Sequence, residues 1–324
     1  MMRPPSFSIV IPTHNRVNMI QRALRSVAAQ TFDDYQVVVV DDGSTDATPA
    51  FLETVSDSRC HVVRHEHGMG VSAARNRGVA ASGGELITFL DDDDELRPYA
   101  LEALHQRYQS DTQLDFLWGG RLIHEMDAAD RSVGTREDDW SGVSATVTGP
   151  AFLNLVLHIA TNSAFTIRRT VFDAVGGFDQ HLRMSEDRDL FIALARAGYR
   201  GAAVARTVID VNEYRRSLSR STGRQAGGDI DLGVIDKHRE YLYRPEHRQF
   251  LDSYFVAVFV AFLEAGKRSS AARILAKLFH RRALSAGLLR KYIRHAPEFR
   301  ALKTLIRLDT VRRLRNNLRK ARTA

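Results

Sequence analysis

Two apolar runs of this chain end in carboxylates. Residues 35–40 pass directly into Asp41-Asp42-Gly43-Ser44-Thr45-Asp46, and residues 85–90 into Asp91-Asp92-Asp93-Asp94-Glu95. A third acidic pair, Glu186-Asp187, opens a stretch of helical periodicity after the turn sequence Gly176-Gly177-Phe178-Asp179. Helix capping accounts for Asp46, and for Asp94 or Glu95, because Asp is a favoured N-cap and acids suit a helix N-terminus. It does not account for five successive acids, whose mutual repulsion costs stability unless a cation offsets it. Carboxylates without accompanying Cys or His suit a hard ion such as Mg²⁺ or Mn²⁺. One or two carboxylates leave coordination positions open for diphosphate oxygens, so the expected ligand is a nucleotide diphosphate held through its metal. For Glu186-Asp187 the simple account is an acidic first turn favoured by the helix dipole. The chemical account is a positioned carboxylate that takes a proton from a hydroxyl.

Such groups need a frame. Apolar runs at 7–11, 35–40, 60–65 and 85–90 read as strands, and 19–29, 48–55, 72–81 and 98–109 as helices between and after them. The valine-rich second run is apolar throughout, as a strand covered on both faces should be. Pro49 suits the first turn of its helix. This alternation predicts an α/β fold with a mostly parallel central sheet and helices on both faces. Ligands then bind beyond the carboxyl ends of the strands, which is where the first two acidic clusters lie. After a strand at 114–118 the pattern weakens through a polar, Gly-rich stretch to 149. It resumes as a helix at 150–158, a strand at 164–167 and a helix at 186–197. Polar, Gly-rich 215–231 reads as a mobile loop or linker, and the remainder is helical in character.

The 324 residues are 44% hydrophobic and 26% charged, ordinary for a globular protein. Cys60 is the only cysteine, which excludes a disulfide framework and a cysteine zinc site; the run CHVVRH favours a buried strand position in a reducing compartment. The N-terminal MMRPPSFSIVIPTHNR has too short an apolar run for a signal peptide. The longest candidate span, 253–263, falls short of the roughly 18 to 20 apolar residues a membrane helix needs. A cytoplasmic protein is expected. The charge is uneven: from Lys267 onward 18 Lys or Arg face two acids, so the tail carries +16 and the body −9 of the total +7.

The segments SIVIPTHNR, VVVVDDGSTDAT, GVSAARNRG, ITFLDDDDEL and GGFDQHLRMSEDRDLFIALARAG occur in the order found in family 2 glycosyltransferases with the GT-A fold. The resemblance covers roughly residues 7 to 200. It implies an activated sugar donor, usually UDP-linked, and inversion at the anomeric carbon. Pro12, Thr13, Asn15 and Arg16 would edge the nucleotide pocket, Asp41 or Asp42 would accept from the base's imide N–H, and Arg75 would complete the nucleoside site. Asp91 and Asp93 match the family's DxD motif. Asp91 would lie near the ribose with Asp92 beside it in the nucleotide-sugar site, and Asp93, with Asp91, would hold Mn²⁺ or Mg²⁺. Asp187 would be the catalytic base, with Glu186 as the alternative. The implied division is a GT-A domain at 1–215, with a nucleotide-sugar half at 1–110 and an acceptor half at 111–215. A linker and basic helical region would follow at 216–324.

The chain departs from the pattern in two places. Many relatives carry a His after the last strand, close to the diphosphate. Here the segment reads Val211-Asn212-Glu213-Tyr214-Arg215-Arg216, where Arg215 or Arg216 would replace it or simply lie on the surface. Met69 stands where the family's first glycine of a pair is usual. A rival reading is a dinucleotide-binding oxidoreductase, since Gly68-Met69-Gly70-Val71-Ser72-Ala73 fits G-x-G-x-x-A with Asp91 about 20 residues on. It sits at the third strand rather than the first, and the acids would repel a pyrophosphate unless a metal bridged them. In the tail, Arg273, Lys277, Arg281, Arg282, Arg290, Lys291 and Arg294 alternate with apolar residues. That pattern fits a solvated face over a packed helical region or an anionic membrane surface, and less well a nucleic acid. Peripheral attachment at the inner face of the plasma membrane, with a glycan or lipid-linked acceptor, would follow from the membrane reading. Trp118 and Trp140 would pack in the core or stack on an acceptor sugar.

Overall fold

Strands form where apolar runs can be covered on both faces. A computed structural model describes residues 5–140, 145–159, 163–214 and 218–280. The first half runs β1 (Phe7–Thr13), α1 (Val17–Ala28), β2 (Tyr35–Asp41), α2 (Thr48–Leu52), β3 (Cys60–Arg64), α3 (Val71–Ala80) and β4 (Leu86–Phe89). It continues with β5 (Glu95–Leu96) and α4 (Ala100–Ser110). The second half brings β6 (Phe116–Met126), β7 (Ser132–Asp138), α5 (Gly149–Leu153), β8 (Thr166–Arg168), α6 (Arg169–Ala174), α7 (Glu186–Ala197) and β9 (Gly201–Tyr214). Helices α8 (Leu218–Lys237), α9 (Arg239–Leu242), α10 (Arg248–Glu264) and α11 (Arg268–His280) follow.

One nine-stranded sheet has the order β3-β2-β1-β4-β8-β6-β9-β5, with β7 paired to β6. Its first four strands are parallel, as the strand–helix alternation requires. Beyond β4 the sheet is mixed: β8 runs antiparallel to β4 and β6, while β6 and β9 are parallel. The chain is therefore α/β, as expected, with the parallel half carrying the first two acidic clusters. The main core joins Phe7, Ile9 and Ile11 of β1 to Val37 and Val39 of β2 and to α1 and α4. Gly78 on α3 lies against β1 and β2, where an added Cβ would come within 2.4 Å of Val10 Cγ1.

Several expectations change. The 114–118 strand extends to Met126, and the polar stretch after it contains β7, hydrogen-bonded to β6 as a hairpin. Neither Asp94 nor Glu95 caps a helix: Glu95 enters β5, and α4 starts at Ala100. Cys60 is only half-buried because β3 is the edge of the sheet and shows a mixed burial pattern. Partial burial nevertheless pushes its thiol up to about 11, with a small push from Asp57. Residues 218–231 are helix rather than linker. Each glycine in a helix costs roughly 1 kcal/mol against alanine, yet Gly228 is where the Phe262 ring of α10 approaches α8, and a Cβ would sit 2.7 Å from it. Gly228 permits close helix–helix contact there, and packing overrides propensity. Trp118 and Trp140 are both buried and stack edge to face, ring centroids 5.7 Å apart.

The chain forms two compact units, Met1–Lys267 and Arg268–Ala324, so α8, α9 and α10 belong to the first. The second contains α11. Among the described residues no helix is long and apolar enough to cross a membrane. Of the basic tail, Arg273 and Lys277 lie on α11, while Arg281, Arg282, Arg290, Lys291 and Arg294 lie outside the described residues, as do Arg215 and Arg216.

Candidate active site

The carboxyl ends of β1, β2 and β4 lie side by side because these strands are adjacent and parallel, Thr13 pairing with Asp41 across β1 and β2. Pro12 is buried within β1 opposite Val40. Thr13 Oγ1 donates to Asp92 Oδ2 at 2.7 Å. Arg16, just before α1, donates from Nη1 to Asp92 Oδ1 at 2.8 Å and to Asp93 Oδ2 at 3.0 Å. Burial alone would lower the Arg16 guanidinium, but Asp92, Asp93 and Asp91 raise it above its ordinary value. Asn15 adopts φ 55, a left-handed conformation that Asn tolerates well. Its Oδ1 accepts from the Thr45 and Asp46 amides at 2.7 and 3.2 Å, so it shapes the loop after β2. In the same loop Asp46 Oδ1 accepts from the Thr48 amide at 2.8 Å, but the N-cap of α2 is Ala47, so Asp46 braces the turn one residue before the cap rather than capping the helix.

Asp41 and Asp42 are both buried but differ in their partners. Asp41 Oδ1 accepts from the Ser44 amide at 2.9 Å, and Oδ2 faces Arg64 Nε at 3.4 Å. Asp42 Oδ1 accepts from His65 Nδ1 at 2.7 Å and the Met69 amide at 2.9 Å, while Oδ2 accepts from the Gly70 amide at 2.8 Å. Burial would raise the Asp42 carboxyl, but the bonds from His65, Met69 and Gly70 hold it below the usual carboxylate range. Asp42 therefore fastens the loop before α3 to the end of β2. Gly43, at φ 74, makes this closeness possible, since a Cβ there would meet the His67 carbonyl carbon at 2.6 Å.

The second acidic cluster is crowded. Asp91, Asp93 and Asp94 each offer a carboxylate oxygen within 4.8 Å of the others. Burial pushes Asp93 up to about 6, with repulsion from Asp91 and Asp92 adding to it beyond what Arg16 offsets. Burial and the neighbouring Asp93 and Asp91 charges likewise push Asp94 well above its usual range. Asp94 Oδ1 accepts from the Asn212 amide at 3.1 Å, and Asn212 Nδ2 donates to the Asp93 carbonyl at 2.7 Å, so β9 braces the acidic turn. An oxygen-only set in which burial and crowding raise Asp93 and Asp94 fits a hard divalent cation.

Arg75 joins this cluster to the third. Buried on α3, it donates from Nη2 to Asp91 Oδ1 at 2.5 Å and from Nη1 to Glu186 Oε1 at 2.7 Å. Burial opposes its charge, but Asp91 and Glu186 hold the guanidinium above its ordinary value. Glu186 and Asp187 open α7, and Ser185 before them is left-handed at φ 60 and ψ 18. Asp187 Oδ1 accepts from the Arg188 amide at 2.7 Å, and no bond to Oδ2 is found among the described residues. Burial pushes Asp187 up to about 6, with repulsion from Glu186 adding to it and Arg188 and Arg75 opposing it.

The fold thus brings Thr13, Arg16, Asp92 and Asp93 into one hydrogen-bonded set and Arg75, Asp91 and Glu186 into a second, the two joined through the chain at Asp91–Asp93, with Asp187 next after Glu186. Asn15, Asp41 and Asp42 form the loop framework beside it, and Pro12 lies beneath. Sequence reasoning did not single out Asp94 as a ligand, nor His65 and Asn212. Asp94 was hidden in a run of acids, whereas His65 and Asn212 carry no spacing signal.

Residues 8–176 match the model of Glycosyl transferase family 2. Over 106 residues the chain is 35% identical to a GalNAc(5)-diNAcBac-PP-undecaprenol beta-1,3-glucosyltransferase of Campylobacter jejuni, covering 32% of this chain and 34% of that protein. It is 38% identical over 103 residues to the succinoglycan biosynthesis protein ExoO of Rhizobium meliloti, covering 32% and 30% respectively. The chain spans about a third of the length of these curated relatives. Among solved structures, S. aureus TarS 1-349 in complex with UDP-GlcNAc superposes with a TM-score of 0.66 over 85% of this chain and 81% of that one, at 20% identity. That likeness gives the GT-A fold. The segment before α3 follows the edge strand β3, its Met69 and Gly70 amides donate to Asp42, and the family match replaces the dinucleotide-oxidoreductase alternative. The chain belongs to glycosyltransferase family 2.

Proposed function

We propose that this chain is an inverting glycosyltransferase that moves a sugar from a UDP-linked donor to an acceptor hydroxyl in the synthesis of a bacterial glycan. The observation that carries this reading is the continuous network from the acidic turn after β4, through Arg75, to the first turn of α7. It joins a site for a diphosphate and its cation to a carboxylate poised for proton transfer. Asp42 or Asp41 accepts from the base, with Thr13, Asn15, Arg16 and Pro12 at the pocket edge. Asp91 and Asp92 lie on the ribose and sugar side, and Asp93 with Asp91 would hold Mn²⁺ or Mg²⁺. Such an ion, when bound, neutralises charge collecting on the departing diphosphate. A UDP-sugar is favoured because the TarS structure with the same fold is a UDP-GlcNAc complex.

In the step itself, Asp187 Oδ2 takes the proton of the acceptor hydroxyl as its oxygen attacks the anomeric carbon. The bond from that carbon to the β-phosphate oxygen breaks on the opposite face, and UDP leaves with the electron pair. Asp187 suits this role better than Glu186, whose Oε1 is committed to Arg75. A carboxyl near 6 is ionised at neutral pH yet a stronger base than an ordinary aspartate. A lipid-linked acceptor is in keeping with the undecaprenol in the Campylobacter relative's name. With it goes attachment of the basic segment 267–324 to an anionic membrane surface on the cytoplasmic side.

The test is a panel of nucleotide sugars with Mn²⁺ or Mg²⁺, scoring release of nucleoside diphosphate by wild type and Asp187→Asn. Release from at least one UDP-sugar, lost in the variant, is expected. Release from none of the panel, or undiminished release by the variant, would reject the reading.

A further inference from the structure

The family match ends at residue 176, before α7, yet α7 is held in place by helices further along the chain. Asp231 on α8 is buried, and its Oδ1 accepts three hydrogen bonds. Ser185 Oγ donates at 2.7 Å, Arg188 Nη1 at 2.7 Å and Tyr254 OH, from α10, at 3.1 Å. The first two donors bracket Glu186 and Asp187. Ser185 is one of the few non-glycine residues with positive φ, a conformation that carries a steric cost and persists only where surroundings enforce it. A second clamp follows one residue on. Asp189 accepts from Lys237 Nζ and His238 Nε2, both at 2.8 Å. The turn that bears Asp187 is therefore gripped by α8 on one side and by Arg75 on the other.

We propose that Asp231, backed by Tyr254, is a positioning residue for Asp187: it holds Ser185 in its left-handed conformation and neutralises Arg188. This rests on the reading of Asp187 as the base. Asp231 touches no reacting atom; it acts through the turn. The charged groups facing Asp187 are Glu186, Arg188 and Arg75. Those facing Arg188 are Asp231, Tyr254 and Asp187. Removing the Asp231 charge leaves the Arg188 cation uncompensated beside Asp187, which favours the Asp187 carboxylate and lowers its titration midpoint. Removing the side chain also frees Ser185 to leave its left-handed conformation, which misaims the base.

The test uses the full chain as wild type, Asp231→Asn, Asp231→Ala and Asp187→Asn. Asn keeps the acceptor oxygen without the charge, and folds even where Ala does not. Carboxyl carbons of isotope-labelled aspartates are titrated by NMR, the Asp187 signal being the one missing in Asp187→Asn. Asp231→Asn should move the Asp187 midpoint down by at least ~0.5 pH unit. With the UDP-sugar found to turn over, Asp231→Ala should lose kcat by about 10- to 100-fold with KM for donor within about twofold. An unmoved midpoint, or a loss carried wholly in KM, would overturn the proposal, and the NMR result decides whether or not a donor is in hand. Turnover retained by Asp187→Asn would instead remove the reading of the base, so the two failures are distinct.

Discussion

Arg75 and Glu186 form a buried ion pair, Nη1 to Oε1 at 2.7 Å, and the other guanidinium nitrogen of Arg75 holds Asp91 at 2.5 Å. One side chain thus neutralises an acid from the donor half and an acid from the first turn of α7. The planar fork of arginine suits this double role, and a single lysine ammonium does not. Removing one partner of a buried pair leaves an uncompensated charge, at a cost of about 3–5 kcal/mol. Arg75→Ala should therefore lower stability by about that amount in chemical denaturation. Arg75→Lys should fold better and yet lose activity, because it cannot hold Asp91 and Glu186 together. Wild-type turnover in Arg75→Lys would contradict this role.

The base should leave its mark on the pH profile. Asp187 must be ionised to accept a proton, and burial with Glu186 repulsion raises it to about 6. The rate should fall tenfold per unit as pH drops below 6 and level off above it. Asp187→Asn should lower kcat by about 10²–10⁴-fold while UDP still binds. A profile flat down to about pH 5 would place the base elsewhere.

Cation binding should stabilise the fold in a pH-dependent way. Asp93 titrates near 3.8 when unfolded and near 6 in the folded chain, and Asp94 shifts in the same direction. Between these values the folded state binds more protons than the unfolded one, so stability is lost as pH rises from 3.8 through 6. A divalent ion takes the place of the proton. Millimolar Mn²⁺ should accordingly raise Tm more at about pH 7.5 than at about pH 5, and the difference should shrink in Asp93→Asn. Equal gains at both pH values would argue against the acidic turn as the binding site.

Gly228→Ala distinguishes packing from helix propensity. Alanine in a helix gains about 1 kcal/mol over glycine. Here its Cβ would lie 2.7 Å from the ring of the fully buried Phe262, and overpacking of this kind costs about 1–3 kcal/mol. Overpacking should win, lowering Tm. A rise in Tm would mean that α8 and α10 do not pack as described.

The parallel half of the fold was legible because its strands are short, mainly apolar runs separated by turns and helical stretches, most plainly Val37–Val40 before Asp41. The second half was harder to read. Strands β6, β7 and β9 mix polar and apolar residues because parts of them are exposed, and β7 is exposed along most of its length. Helix α8 was hidden by its glycines, whose purpose is visible only once Phe262 is beside Gly228. Within the site, the acids announced themselves by number, and Arg75 by its place in a recognisable segment. The roles of Asn212, His65 and Asp231 depend on partners 23 to 119 positions away, a kind of contact that no local spacing encodes.

The most direct measurement is calorimetric titration of UDP into the full chain, with Mn²⁺ present and again with chelator, for wild type and Asp93→Asn. Binding with Mn²⁺ should weaken by at least about tenfold in chelator and by a similar factor in the variant. UDP binding of equal strength with and without the metal, unaffected by loss of the Asp93 charge, would contradict the central claim that the acidic turn after β4 holds the diphosphate through a cation.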